Sequence, residues 1–221
     1  MQRLDKKMKL AKGSGTPLVL VSLFVLAAIA LLVMLSHRYA VLLSVFLLAV
    51  LFVCFNFFRD PERMIAQGIV SPADGIIMDM EETKEGRIRV PIFMNVQNVH
   101  VNRSPISGTV SHSRHVSGSH VPAFNKESLR NERQHTIING STMTIEVVQI
   151  AGLLARRIVS YVKEGDTLEK GGKIGLIRFG SRVDILMPKT VSICVSEGDK
   201  VKAGSSTIAL VPKQEKGGDT A

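Results

Sequence analysis

The chain has 221 residues, 45% of them hydrophobic and 21% charged, with a net charge of +9 and a mean hydropathy of +0.20. That length holds one compact domain and an appendage, and the aliphatic content excludes a disordered chain. Two cysteines, Cys54 and Cys194, exclude a disulfide framework, a four-cysteine zinc site and a CxxC redox pair.

Charge and hydropathy divide along the chain. Residues 1–38 carry six Lys/Arg against one Asp, and residues 59–221 carry 22 against 18 acids. The second balance is too mild, and aromatics are too few, for a nucleic-acid partner. A basic skin suits an anionic membrane surface. Pro17–Leu35 is a run of 19 residues without a charge and Tyr39–Phe58 a run of 20. About 20 apolar residues cross the hydrocarbon core as a helix. Residues 17–58 are therefore expected to form a hydrophobic helical hairpin (17–35 and 39–58), joined by Ser36-His37-Arg38. A cleaved signal peptide is not expected, because the first run is long, lacks a small-x-small exit and is followed at once by a second. Arg3, Lys6, Lys7, Lys9 and Lys12 predict a cytoplasmic segment 1–16, and a hairpin returns the chain to that side at Arg59 and Arg63. The domain 59–221 is thus expected at the cell membrane, on the cytoplasmic face. A re-entrant hairpin, favoured by Arg38, is the alternative.

From residue 68 the pattern becomes short β-branched strands broken by Gly, Pro and Asp: GIVSPADGIIMDM, RIRVPIFM, NVHVNRSPISGTVSHS, HTIIN, STMTIEVVQIAG and RRIVSYV. One helix is predicted near Asn125–Arg133. The fold class is mainly β, a sandwich or barrel-sandwich hybrid, with the helical hairpin at the N-terminus. VKEGDTLEKGGKIGLI (162–177) is echoed by VSEGDKVKAGSSTIAL (195–210), and SPADG by SPISG. Such echoes suit similar hairpins wrapped around one core; two copies are too few for a solenoid.

Three residues of this domain carry an acid, a base and a nucleophile. Gly180-Ser181 lies between two strand-like runs, where a Gly-Ser pair is ordinarily a turn. A Ser hydroxyl there can also attack the carbonyl before it, and elimination followed by hydrolysis leaves a pyruvoyl group on a new N-terminus. Asp74 in SPADG reads by itself as a turn aspartate, and His100 in NVHVNR as a half-buried strand histidine. With Ser181 they complete a triad in the order Asp, His, Ser, and order is no constraint on that geometry. His112, His115 and His120 sit in a Ser/Gly-rich stretch without the helix or carboxylate of a zinc site, so no metal is expected and a loop that closes over a site is preferred. Asn131-Glu132-Arg133 reads as a solvated helix end.

FGS in a run ending VDILMP, SPADG, NVHVNR, SLRNER and QIAGLLARRIV, in this combination, resemble the short class of phosphatidylserine decarboxylase proenzymes, including archaetidylserine decarboxylase-like members. The resemblance covers about residues 56–211. It implies self-cleavage between Gly180 and Ser181 into a large (1–180) and a small (181–221) subunit, with Ser181 as nucleophile and then as the pyruvoyl cofactor. It implies that His100 is the base and that Asp74 orients it. The pyruvoyl ketone would condense with the amine of a serine phospholipid and act as an electron sink as CO2 leaves, giving the ethanolamine lipid. A homodimer is a further implication. Longer bacterial members carry a second histidine where this chain has Gln97, so the group that reprotonates the product is His115 or a reused His100. His120 is a second departure, standing where an aromatic is expected. The 116–124 loop is expected to dip toward the acyl chains. Two other readings use fewer of these residues. A membrane-anchored lipoyl/biotinyl-like adaptor lacks the modifiable Lys flanked by Met, and a zinc peptidase lacks the His-x-His pair.

Overall fold

A computed structural model describes residues 9–35, 37–119, 130–152, 158–178 and 181–211. The chain forms two units, one of residues up to Glu62 with Val96–His100, the other of Arg63–Asn95 with the residues from Val101 onward.

The first unit is built on two helices, α1 (Gly15–Leu35) and α2 (His37–Phe57), which pack against each other. Ser14 opens α1: its carbonyl accepts from the Leu18 N–H at 3.0 Å, and its hydroxyl donates to the Ala11 carbonyl at 2.6 Å. Among the described residues one stretch, Gly15–Leu32, is long and apolar enough to cross a membrane, and α2 contributes the shorter apolar run Val41–Phe57. Phe24, Leu42, Phe46 and Phe52 are exposed on these helices. Before and after the helices, Lys9–Leu10 pairs antiparallel with Arg59–Asp60. The Ala11 N–H donates to the Phe58 carbonyl at 2.8 Å, and Lys9 reaches Glu62 at 2.8 Å. The helical pair therefore begins and ends at one place.

The second unit is mainly β. Eight strands of a nine-stranded antiparallel sheet follow the order Thr167–Leu168, Gly108–Val116, Arg133–Asn139, Thr144–Ala151, Ser181–Pro188, Arg87–Met94, Gly75–Ile77 and Lys200–Val201. Glu81–Glu82 pairs with Arg87–Met94 off this path. Two three-stranded sheets complete the unit: Ile158–Ser160, Lys173–Ile177 and Val101–Arg103 form one, and Ser192–Ile193, Thr207–Leu210 and Ile69–Val70 the other. Alternate residues of the large sheet point inward, among them Val90, Ile92, Ile145, Val147, Val183 and Ile185. They pack in one core with Ile69, Ile158, Ile174 and Ile208 from the small sheets, as the two-residue period of a strand requires.

The sequence echo becomes a pseudo-two-fold relation within this unit, centred between Thr144–Ala151 and Ser181–Pro188. Gly165 and Gly198 both take φ +87°, a left-handed conformation that glycine adopts freely. Their N–H groups donate to Val110 and Ile77 respectively, each at 2.9 Å. Asp166 accepts the Lys163 N–H at 2.9 Å as Asp199 accepts that of Ser196 at 2.8 Å. In the Ser-Pro turns the Ser71 hydroxyl donates to the Ala73 carbonyl at 2.7 Å and Ser104 to Ile106 at 2.6 Å.

The helix expected near Asn125–Arg133 is not formed at its C-terminal end. Arg133 opens the strand Arg133–Asn139, because residues 133–138 alternate between partly and fully buried positions along a ladder with Thr144–Ala151. Residues 120–129, with His120 and most of the 116–124 loop, lie outside the described residues.

Candidate functional site

Ser181 is the first residue of a central strand, paired in register with Met94 on one side and Ala151 on the other. It shares the inward face with Val183 and Ile185 and is completely buried. Its hydroxyl lies 3.4 Å from the Met94 sulfur, a weak acceptor that leaves the oxygen's own lone pairs available. Gly180 lies outside the described residues. Around Ser181 the strands place two fully buried carboxamides, Asn102 and Gln149. The Gln149 amide donates to Asn102 Oδ1 at 2.7 Å, and Asn102 Nδ2 faces the same Met94 sulfur at 3.7 Å.

Asp74 is buried in the Ser-Pro turn of the same unit. Arg63 donates to its Oδ2 at 2.7 Å, and the Ala203 N–H donates to its Oδ1 at 2.8 Å. A close approach fixes the turn: a Cβ on Gly75 would stand 2.2 Å from the Phe93 carbonyl oxygen, so only glycine fits beside Asp74.

His100 belongs to the helical unit and is completely buried. It immediately precedes the strand Val101–Arg103 rather than lying inside one. Its ring packs on Phe57, with centroids 4.0 Å apart, and Phe57 meets Phe58 edge to face. Nδ1 lies 2.9 Å from the Asn98 carbonyl. A carbonyl only accepts, so Nδ1 carries the proton and Nε2 keeps its lone pair. Nε2 is buried with no hydrogen-bond partner among the described residues. Burial, opposed by the Asn98 carbonyl and aided by the Arg59 charge, pushes the imidazole pKa down to about 4. His100 is thus a neutral base at pH 7 with its tautomer set by a backbone carbonyl.

His112 and His115 lie on the strand Gly108–Val116 rather than in a loop and are half exposed: His112 stands 3.4 Å from Glu164 and His115 3.6 Å from Glu132. Among the described residues no group of three His, Cys, Asp or Glu could hold a metal ion. Asn131, expected in a solvated helix end, is instead completely buried. Its amide donates to the Ala151 carbonyl at 2.8 Å and its Oδ1 accepts from Ser119 at 3.0 Å. Ala151 is the register partner of Ser181, so Asn131 links Ser119 to the strand beside the serine.

Sequence reasoning missed Asn102, Gln149, Arg63 and Asn131. The signal for Gln149 was present, an amide interrupting the apolar run IEVVQIA on a strand that is otherwise buried.

These features meet in one family. The model of the phosphatidylserine decarboxylase family matches residues 50–209, and the chain belongs to that family. It is 54% identical over 153 residues to a phosphatidylserine decarboxylase proenzyme of Streptomyces avermitilis, a match covering 69% of this chain and 71% of the relative. It is similar, at 47% identity over 167 residues, to a Methanosarcina mazei protein provisionally named an archaetidylserine decarboxylase proenzyme; that match covers 74% of this chain and 78% of the relative.

Proposed function

We propose that this chain is made as a proenzyme, cuts itself between Gly180 and Ser181, and then decarboxylates a serine phospholipid to the ethanolamine phospholipid and CO2. The observation that carries the reading is Ser181 itself, a completely buried hydroxyl at the start of a central strand, inside the segment matched to the family. In self-cleavage His100 Nε2 accepts the hydroxyl proton as Oγ adds to the Gly180 carbonyl carbon. The peptide C–N bond breaks, the nitrogen takes that proton, and an ester results. Loss of the Ser181 Cα proton with cleavage of Cβ–Oγ releases Gly180 as a carboxylate, and water replaces ammonia to leave a pyruvoyl group. The base needs its lone pair at neutral pH, which the lowered pKa of His100 provides. Asp74, its carboxylate held by Arg63 and the Ala203 N–H, is the residue we assign to orienting His100 during cleavage, in place of the Asn98 carbonyl that takes Nδ1 in this structure.

The surroundings of Ser181 fit a pyruvoyl group. Among the described residues its buried neighbours Met94, Asn102 and Gln149 are uncharged, and the two carboxamides offer amide donors. When formed, the group supplies a ketone for the lipid amine and an electron sink for the pair left as CO2 departs. Met94 and the strands beside Ser181 exclude water, and His115, paired with Glu132, is the candidate proton donor to the product. The substrate lies in a bilayer, and the apolar helices support a membrane-associated chain. The basic N-terminal segment supports a cytoplasmic position for the domain that follows. The short ladder joining Lys9–Leu10 to Arg59–Asp60 supports this side, because it brings the two ends of the helical pair together. A homodimer of such cleaved chains is the assembly we assign.

Purified protein mixed with vesicles of a serine phospholipid is expected to release CO2 and form the ethanolamine lipid, and Ser181→Ala to release none. Ester-linked and ether-linked substrates run side by side assign the backbone. A Ser181→Ala chain as active as wild type would overturn the proposal.

A further inference from the structure

The polar cluster beside Ser181 has an arrangement that packing does not require. Asn102, Gln149 and Ser181 are completely buried on the inward side of strands whose other inward residues are mostly aliphatic. Gln149 spends its amide on Asn102 Oδ1, at 2.7 Å. In this arrangement Oδ1 is the accepting end of the Asn102 carboxamide. Oδ1 is taken, so Nδ2 is turned to the Met94 sulfur, 3.7 Å away, the same atom the Ser181 hydroxyl faces at 3.4 Å. A thioether is a poor acceptor, and a buried N–H left on one is poorly satisfied. Gln149 Oε1 has no partner among the described residues. The carboxamide also packs so closely on Gly175 that a Cβ there would lie 2.8 Å from Nε2. The sheet makes room for this pair where Leu or Val would pack without cost.

Resting on the assignment of Ser181 as the self-cleavage nucleophile, we infer that Asn102 Nδ2 is the donor to the oxyanion of that reaction, with Gln149 the positioning residue that turns it. As Oγ bonds to the preceding carbonyl carbon, the hydroxyl proton leaves to the base and the carbonyl electron pair moves onto its oxygen, where the amide N–H receives it. Return of that pair expels the amine nitrogen, which takes up the proton, and the ester forms. The donor is fully buried and faces the same sulfur as the attacking hydroxyl; a desolvated donor to a developing oxyanion is worth about 100- to 1,000-fold in rate.

The test follows freshly synthesised full-length chains on a denaturing gel, with and without neutral hydroxylamine, which cuts an ester but not a peptide. Asn102→Ala is expected to slow spontaneous cutting at least 100-fold and to yield no hydroxylamine-sensitive chain, with a melting temperature close to that of Ser181→Ala. Gln149→Met should slow cutting about tenfold, because Asn102 is then free to turn. Asn102→Leu keeps the volume and loses the donor; it serves if the alanine variant folds poorly and is expected to be as slow. Cutting of these Asn102 variants at the wild-type rate overturns the inference. So does accumulation of an ester, which would move the defect to elimination. A wild-type chain that never cuts, or a Ser181→Ala chain that does, overturns the nucleophile assignment and the inference with it.

Discussion

His100→Ala is expected to leave the chain uncut, or to lengthen the half-time of self-cleavage by at least 100-fold, the range that removal of a positioned general base produces. The fully buried ring has its Nε2 lone pair free because Nδ1–H is committed to the Asn98 carbonyl. The same geometry fixes the pH dependence. With a pKa lowered to about 4, chiefly by burial, the base form persists well below neutrality. Self-cleavage of newly made wild-type chain should therefore be level from pH 8 to about pH 5 and fall as pH approaches 4. An inflection near 6.5, the value of an exposed histidine, would mean that His100 is not the base. Stability carries the same sign. The unfolded ring binds its proton near 6.5 and the folded ring does not, so stability is complete above that value and is lost as pH falls toward 4, by roughly 3 kcal/mol. The melting temperature of Ser181→Ala, which removes cleavage from the measurement, reads this loss directly.

Arg63→Leu is expected to destabilise the β unit by about 3–5 kcal/mol, because it strands the Asp74 carboxylate in the interior. The side chains are 11% and 9% exposed and meet at 2.7 Å, so little solvent is there to replace the guanidinium. The partner variant makes the cause visible. Arg63→Leu with Asp74→Asn carries no buried charge and keeps an acceptor for the Ala203 N–H, so its melting temperature in detergent should lie above that of Arg63→Leu alone. Equal melting temperatures would show that Arg63 acts through packing rather than through Asp74.

What was legible in the sequence follows the range of each interaction. The two apolar runs are read residue by residue, and both appear as helices, Gly15–Leu35 and His37–Phe57. The EGD echo is local turn chemistry, and it reappears in matched φ values at Gly165 and Gly198. Ladder order is not local. Nothing in NVHVNR or QIAG says that Asn102 and Gln149 meet across the fold, since that contact depends on separate strands, Val101–Arg103 and Thr144–Ala151. Asn131 was read as solvated because Asn, Glu and Arg are surface residues on average. It is buried because its amide satisfies the Ala151 carbonyl next to the serine strand. Arg63 lies in the apparent linker RDPERMIAQG, whose composition gives no sign that one of its cations pairs with Asp74. Asp74, His100 and Ser181 are legible in the sequence because their residue types supply an acid, a base and a nucleophile.

The central claim is that Ser181 becomes the reactive group of this chain by cutting the peptide before it. Intact mass on the purified protein, read beside a denaturing gel and the Ser181→Ala variant, tests it most directly. Two chains are predicted, parted between Gly180 and Ser181, with the small one lighter than its sequence by one ammonia, and the variant uncut. A single full-length chain from folded, wild-type protein would contradict the account.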